Sequence, residues 1–297
     1  MSRVCDVTGG GASSLDCETL CALGFSSLFS GDVSRAQKYF QCSLNRDPDY
    51  VFAYLGLAKS RLLGAGYIEV IERLVDFLRP KRYVEIGVER GAVLGLLAPS
   101  TRVVGVDPEP QFEADSFPQN VSIFLQTSDD FFAANDLSKL LGGAFDLAFI
   151  DGLHTFEQVL KDFINLEKYA APDSVILIHD CLPLDRRTSS PERETVFWTG
   201  DVWKIIPCLK RERPELQIFT IPTYPAGLGV VSGLRPGNTW LSEQFSTVVA
   251  KYQNLDFSYI EDHGECFSLV ANRWSVIAER LRSLRLGLCG PELRQDK

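Results

Sequence analysis

The sequence predicts an α/β fold, a doubly wound sheet with a helical hairpin before it and a helical extension after it. Five segments between residues 82 and 179 are apolar at almost every position, which indicates strands covered on both faces, as in a parallel sheet. The segment after the fourth strand carries Phe156, Leu160 and Phe163 on one stripe and predicts a covering helix. This alternation of strands and helices is typical of doubly wound sheets.

The predicted elements divide the chain into four parts. A helix at 67–78 precedes the first strand, and the pattern becomes helical again beyond Pro236. The strands cover residues 82–88, 102–107, 121–125, 145–151 and 174–179, with two later strands at 216–221 and 227–232. The parts are a loose tail at 1–16, a helical hairpin at 17–66, the sheet domain at 67–235 and a C-terminal helical extension at 236–297.

The hairpin at 17–66 has the residue spacing of a tetratricopeptide repeat. Gly24 and Ala36 would let two helices approach closely. Phe40 would fill the space between them, and Pro48 would end the second helix. An unrelated helical hairpin remains an alternative. Because one and a half repeats cannot bury their own apolar faces, we expect this part to pack on the sheet domain or on a second copy of the chain in a homo-oligomer.

Composition and charge exclude several classes of partner. The 297 residues are 45% hydrophobic and 23% charged, with a formal net charge of −9. An acidic chain without a Lys/Arg run is a poor match for nucleic acid or anionic lipid. No stretch approaches the roughly 20 apolar residues of a membrane span, and the first residues lack the apolar core of a signal peptide. We therefore expect a cytoplasmic protein without nucleic-acid or membrane partners.

The cysteines give no sign of a metal or disulfide framework. There are eight of them, and none form a Cys-x-x-Cys pair. In a cytosolic protein of this size the pattern predicts free, buried thiols, with a zinc site or a disulfide set as the alternatives.

The first strand runs into a glycine turn, Glu85-Ile-Gly87-Val-Glu-Arg-Gly91. Glycines at a strand-to-helix turn let the backbone pass close to a ligand. Their spacing differs from the Gly-x-Gly-x-x-Gly pattern that binds a dinucleotide pyrophosphate. Asp107 ends the second strand, where an acid can accept hydrogen bonds from a ribose. A ribose site without a pyrophosphate site predicts S-adenosylmethionine (SAM) as the cofactor.

Two further motifs follow the central strands. Asp151-Gly-Leu-His154 follows the fourth, and His179-Asp180 follows the fifth. With these motifs, residues 67–235 resemble class I SAM-dependent methyltransferases, which have a Rossmann-like sheet. The branch with Asp-Gly-x-His and His-Asp at these positions resembles sugar and small-molecule O-methyltransferases. The resemblance therefore implies O-methylation of a hydroxyl on a sugar, a glycoside or another secondary metabolite.

The resemblance also implies roles for individual residues. Glu85, Gly87 and Gly91 would line the methionine end of SAM, and Asp107 would bind the ribose. Ser128 and Asp129 would flank the adenine, and Asp151 would lie near the transferred methyl group.

The same resemblance raises the question of a metal ion. In metal-using members an Asp in the place of Asp151 joins an acidic pair after the fifth strand, and binds magnesium. Here that pair is His179-Asp180, and a histidine argues for a softer ion such as manganese, or for none. Asp151, Asp180 and His179 are therefore tentative ligands, and the requirement for magnesium or manganese stays open.

Methyl transfer to a hydroxyl needs a group that takes the hydroxyl proton. The chain has three histidines, and two of them follow adjacent central strands, where open α/β sheets place their sites. We predict His154 as the base, with Asp151, His179 and Asp180 as further catalytic groups. A structural role is expected for the third histidine, His263.

The residues that follow His179-Asp180 form an irregular segment, Leu182–Thr195, that is predicted to cover the site. Trp198 and Trp203 then either stack on a planar acceptor or anchor the next helix. Other functions stay open, namely N-methylation, a hydroxylase that would use His154, His179 and Asp180 to hold iron, and a cofactor-binding module without activity. The glycine spacing disfavours a nicotinamide dehydrogenase.

Overall fold

The computed structural model describes residues 15–112 and 118–288. Its centre is a seven-stranded sheet in the order β3-β2-β1-β4-β5-β7-β6. The strands are β1 (Arg82–Ile86), β2 (Arg102–Val106), β3 (Val121–Phe124), β4 (Phe145–Ile150), β5 (Ala170–Ile178), β6 (Gln217–Ile221) and β7 (Leu228–Ser232). Among the described residues, no helix is both long and apolar enough to cross a membrane.

The first five strands are parallel, and the last two form an antiparallel pair at the edge. Strand β7 runs antiparallel to β5, and β6 runs antiparallel to β7. The prediction of an α/β doubly wound sheet is confirmed, with a mixed edge. Because β4 lies between β1 and β5, the carboxyl ends of these three strands meet at the centre of one edge of the sheet.

Twelve α-helices surround the sheet within the described residues. The first four are α1 (Cys17–Phe29), α2 (Val33–Arg46), α3 (Val51–Arg61) and α4 (Tyr67–Leu78). The next four are α5 (Ser128–Ala134), α6 (Leu137–Leu141), α7 (Phe156–Glu167) and α8 (Ile205–Glu212). The last four are α9 (Trp240–Glu243), α10 (Phe245–Tyr252), α11 (Ser258–Asp262) and α12 (Trp274–Leu288). The helical character predicted beyond Pro236 is present, and residues 289–297 lie outside the described residues.

Alternate residues of the central strands pack into two separate cores. Val84 and Ile86 of β1 join the core that contains α7 and α8. Tyr83, which points to the opposite face of the sheet, joins the core that contains α4 and α12. Burial on both sides explains why these strands are apolar throughout.

One connection differs from the predicted strand-to-helix turn. After β1 and the glycine turn, the chain forms a single 3-10 turn at Leu94–Leu96 in place of a full helix. Only seven residues separate Gly91 from Pro99, and Gly95 in the middle of them is a poor helix former. The short connection leaves the glycine turn as a loop over the end of the sheet.

Helices α1, α2 and α3 pack around one aromatic ring. A Cβ atom built on Gly24 would lie 2.5 Å from the Phe40 ring, and one built on Gly56 would lie 2.2 Å from it. The close approach of helices predicted at Gly24 is therefore possible because glycine has no side chain. Gly56 on α3 faces the same Phe40 ring in the same way. The three helices also contact the sheet domain through Leu184, Phe197 and Tyr224. The tetratricopeptide assignment and the domain boundaries stay predictions.

The six described cysteines form no disulfide bond with one another. Cys21, Cys42, Cys181 and Cys208 are buried, and Cys17 and Cys266 are partly buried. The tail at 1–14, with Cys5, and the end of the chain, with Cys289, lie outside the described residues.

Candidate active site

The glycine turn after β1 touches the end of β4. Gly87 has a φ of +84°, and a Cβ atom built on it would lie 2.0 Å from the carbonyl oxygen of Asp151. Gly91 has a φ of +70°. Both angles favour glycine, and at Gly87 the backbone of Asp151 leaves no space for a side chain. The predicted cofactor turn and the predicted catalytic motif are therefore in direct contact.

Asp107 binds the backbone of this turn. Its Oδ2 atom accepts hydrogen bonds from the amides of Val88 and Glu89, both at 2.8 Å. Its Oδ1 atom accepts one from the amide of Glu109 at 2.8 Å. The carboxylate thus fixes the turn, and its predicted bond to a ribose would add to these three contacts.

Glu85 lies deeper in the sheet than the other predicted cofactor residues. It is 2% exposed, and its carboxyl group accepts a hydrogen bond from the hydroxyl of Tyr83 at 2.9 Å. Burial raises the pKa of Glu85 well above its usual value. The structure thus places Glu85 beneath the turn, in contact with Tyr83.

Ser128 and Asp129 begin α5, directly after β3, and share a partner that the sequence did not single out. The Nε2 atom of Gln158 on α7 lies 3.0 Å from Ser128 Oγ, 3.0 Å from Asp129 Oδ1 and 3.1 Å from Asp162 Oδ1. Asp162 is buried, and burial together with the nearby charge of Asp129 outweighs its hydrogen bonds and raises its pKa to about 6. Gln158 and Asp162 have the i, i+4 spacing of ordinary polar helix residues, which gave no signal in the sequence.

The ends of β4 and β5 bring three predicted residues together. His154 Nδ1 lies 2.9 Å from Asp180 Oδ2, and His154 Nε2 lies 3.5 Å from Asp151 Oδ1. The first contact is at ion-pair distance but is not aligned as a hydrogen bond, since Asp180 Oδ2 is buried without a hydrogen-bond partner. One ligand atom from each of Asp151, His154 and Asp180 lies within 4.8 Å of the other two. We call these three residues the acidic-histidine group.

His179 adjoins this group. Its Nδ1 atom lies 3.1 Å from Asp151 Oδ1, and its ring lies 4.2 Å from the ring of Tyr67, measured between centroids. Its Nε2 atom is buried without a hydrogen-bond partner. His154 is the histidine of the group with metal-ligand spacing, and the tentative role of His179 as a ligand stays a prediction.

Two residues of the acidic-histidine group have an unusual backbone. His154 has a φ of +59° and Asp180 a φ of +58°, a left-handed conformation that costs energy in any residue except glycine. A Cβ atom built on Gly200 would lie 1.6 Å from the carbonyl oxygen of His154. The loop after β5 thus packs directly against the His154 backbone and helps to maintain this conformation.

The charges of the group are strongly coupled. Burial lowers the pKa of His154, but Asp180 and Asp151 outweigh burial and raise it to about 9. The same balance of burial against Asp151 and Asp180 raises the pKa of His179. Burial raises the pKa of Asp151, and the two histidines more than offset this and lower it. With this pKa most of His154 is protonated at neutral pH, so the residue must lose a proton before it can act as the predicted base.

The segment after β5 reaches back to His154 through Trp198. The two rings are stacked with centroids 5.7 Å apart, and His154 Nδ1 lies 3.4 Å from the carbonyl oxygen of Trp198. Trp203 is 1% exposed and belongs to the core. Of the two predicted roles, Trp198 thus has a place at the site and Trp203 anchors the fold.

The third histidine lies apart from these residues. His263 is exposed, stacks on Tyr259 with ring centroids 4.3 Å apart, and has its Nδ1 atom 3.2 Å from the Tyr259 carbonyl oxygen. These local contacts agree with the structural role expected for it.

Solved structures that match part of this chain include several methyltransferases, all distant in sequence. The SAH-bound methyltransferase of Podospora anserina has 14% identity and a TM-score of 0.44, over 61% of this chain and 86% of its own. An O-methyltransferase of Streptomyces achromogenes involved in tomaymycin synthesis, in complex with SAM, has 15% identity and a TM-score of 0.42, over 63% and 91%. The O-methyltransferase of Bacillus cereus in complex with SAH has 16% identity and a TM-score of 0.40, over 59% and 86%.

A comparison with protein families matches a segment of the chain. A search of curated proteins finds no match to the chain. The matching segment runs from the third residue of β1 to the residue after Asp180. It contains the glycine turn, Asp107 and the whole acidic-histidine group. Residues 84–181 match the family described as a methyltransferase domain.

Proposed function

We propose that this protein transfers a methyl group from SAM to a hydroxyl of a small acceptor such as a sugar, a glycoside or another secondary metabolite. The observation that carries the proposal is the contact between the turn at Gly87 and the backbone of Asp151. This contact brings the glycine turn, which we propose binds the cofactor, beside a group of titratable side chains at the carboxyl ends of adjacent strands. The family match over residues 84–181 supports the same reaction class.

The residues around the glycine turn fit SAM. A Cβ atom on Gly87 would lie 2.0 Å from the Asp151 carbonyl oxygen, so glycine at this position lets the turn lie directly against the end of β4, where the methionine part of SAM would bind. Asp107 Oδ1 accepts one amide hydrogen bond, from Glu109, and has the capacity to accept another from a ribose hydroxyl. When bound, SAM supplies an electrophilic methyl group on a sulfonium.

The acidic-histidine group is suited to take the proton of an acceptor hydroxyl. His154 is the most exposed member, with 29% of its side chain accessible against 21% for Asp151, and it can meet an acceptor from solvent. It accepts a proton only after it has lost its own, because Asp180 and Asp151 hold it protonated at neutral pH. Once neutral, the imidazole takes the hydroxyl proton and the two carboxylates stabilise the charge that returns.

The same group fits a divalent cation. Two carboxylates and one imidazole within 4.8 Å of one another, one carboxylate oxygen of which lacks a hydrogen-bond partner, form a donor set that suits manganese better than magnesium. Asp151, His154 and Asp180 would hold the ion, which would act as a Lewis acid on the acceptor oxygen. Whether the reaction requires this ion is tested separately from methyl transfer itself.

N-methylation is the second candidate, and the protonation of His154 favours it. A neutral amine attacks the methyl group without first losing a proton, so it needs less help from a base. An acceptor panel with matched hydroxyl and amine compounds distinguishes the two reactions.

The test begins with binding. We expect calorimetry to detect SAM binding to the purified protein, and labelled SAM to transfer its methyl group to members of a panel of sugars, phenols and amines. Each assay is run with excess chelator and again after addition of manganese or magnesium. Loss of turnover with chelator and recovery with one ion would assign the ion, and full turnover in chelator would leave the carboxylates as hydrogen-bonding groups. Absence of SAM binding would refute the proposal.

A further inference from the structure

The N-terminal helices contact the loop that lies against His154, and we propose that they position this residue for the transfer reaction. The inference rests on the function proposed above. We call residues 182–201 the covering loop. Its two ends are held by α3, and its last residues are in contact with His154.

The first contact fixes the beginning of the covering loop. Leu184 is 4% exposed and packs into the apolar cluster formed by α1, α2 and α3. Arg61, the last residue of α3, donates a hydrogen bond from Nη1 to the carbonyl oxygen of Leu184. The bond is made by a charged donor, a class that contributes more than neutral hydrogen bonds do.

The second contact fixes the end of the loop. Tyr54 on α3 is buried, and its ring stacks on the ring of Phe197 with centroids 5.7 Å apart and an angle of 14° between planes. Phe197 directly precedes Trp198. An aromatic contact of this kind therefore sets the place of the residue that touches His154.

Contacts within the loop transmit this placement to His154. Trp198 stacks on the imidazole, and its carbonyl oxygen lies 3.4 Å from His154 Nδ1. The indole nitrogen donates to the carbonyl oxygen of Ser190 at 2.7 Å, which ties the loop to itself. Gly200 packs on the His154 backbone so closely that a Cβ atom would not fit. A displaced loop would release both the ring and the left-handed backbone of His154.

Tyr54 and Arg61 are accordingly positioning residues, and they act on the acceptor half of the site. The side chains of the sheet domain that join the apolar cluster of α1–α3 are Leu184, Phe197 and Tyr224, and none of them belongs to the glycine turn. Loss of either contact should lower turnover and leave SAM affinity unchanged, because a small misplacement of a reacting group has large effects on rate.

The experiment uses the full chain with four variants. Arg61→Ala removes the bond to Leu184, and its control Arg73→Ala removes an exposed arginine that pairs with Glu69 on α4. Tyr54→Ala removes the ring contact with Phe197, and Tyr54→Phe restores the ring. Hydrogen exchange of peptides covering 152–158 and 186–200 measures the loop without reference to activity, while SAM affinity, kcat and the acceptor KM are measured separately.

We expect Arg61→Ala and Tyr54→Ala to speed exchange in both peptides by about tenfold and to lower kcat by roughly ten- to a hundredfold, with SAM affinity within about twofold of wild type. Arg73→Ala and Tyr54→Phe should behave as wild type. Unchanged exchange at 152–158 in Arg61→Ala and Tyr54→Ala would overturn the proposal, as would faster exchange with unchanged kcat. A wild-type protein that binds no SAM would refute the proposed function instead, and the exchange data would still report on the contacts.

Discussion

The two halves of the candidate site are formed by different chemical groups. On the side of β1 and β2 the backbone forms the surface, and Asp107 accepts two amide hydrogen bonds that hold the glycine turn. On the side of β4 and β5, two carboxylates and two histidines lie within a few ångströms of one another. The proposed role of the first half depends on the shape of the backbone, and that of the second half depends on charged side chains. Changes in the first should therefore affect binding and folding, and changes in the second should affect rate.

The largest effect is expected at His154. Replacement by asparagine removes the imidazole and keeps a residue that tolerates the left-handed backbone, so the loss of chemistry is separated from strain. Turnover should fall by about 10²–10⁴-fold, the usual range for a general base, with little change in SAM affinity. His263→Ala is the control and should retain wild-type turnover. Near-normal turnover of His154→Asn would direct the search to His179, or to an amine acceptor.

Gly87→Ala tests the shape of the other half. At a φ of +84° the new Cβ atom would lie 2.0 Å from the Asp151 carbonyl oxygen, so the backbone must move. We expect a loss of about 3 kcal/mol in unfolding free energy together with loss of measurable SAM binding. Gly95→Ala is matched to it, because a Cβ atom there meets open space. Equal melting temperatures for the two variants would show that the turn adapts.

Asp107→Ala separates ligand binding from backbone support. We expect SAM affinity to weaken by about 1.5–3 kcal/mol, as for hydrogen bonds to a charged group. Asp146→Ala is the matched control, since Asp146 Oδ2 likewise accepts two backbone amides, from Lys81 and Arg82 at the other end of β1. Both variants should lose stability, and calorimetry should show weaker SAM binding in Asp107→Ala alone.

Asp162→Asn tests a charge that lies between the halves. Because the folded protein raises this pKa from 3.8 to about 6, the protonated form favours folding, and that stability is present below pH 3.8 and lost as the pH rises through 6. The variant should be more stable than wild type by about 3 kcal/mol at pH 7, and equally stable near pH 3. Urea unfolding at both pH values measures this, and a variant less stable at pH 7 would mean that the carboxylate is needed in its charged form.

The sequence predicted the strands and the grouping of Asp151, His154 and Asp180 because both follow from short-range pattern. Apolar runs mark strands, and residues at the carboxyl ends of adjacent strands meet at one edge. The contact of Trp198 with His154 was beyond such reasoning, since it depends on the path of an irregular loop that no periodicity encodes. The protonation of His154 depends on distances of 2.9 and 3.5 Å to two carboxylates, which spacing along the chain does not supply.

The ring of Phe40 between two glycines has a consequence for recognising related chains. Gly24, Phe40 and Gly56 are separated by equal intervals of sixteen residues, and each glycine is needed only because the ring occupies the space of its side chain. A smaller residue in place of the phenylalanine would release both glycines at once. The three positions should therefore vary together among chains that share this N-terminal part, as a glycine–aromatic–glycine signature whose members are exchanged as a set.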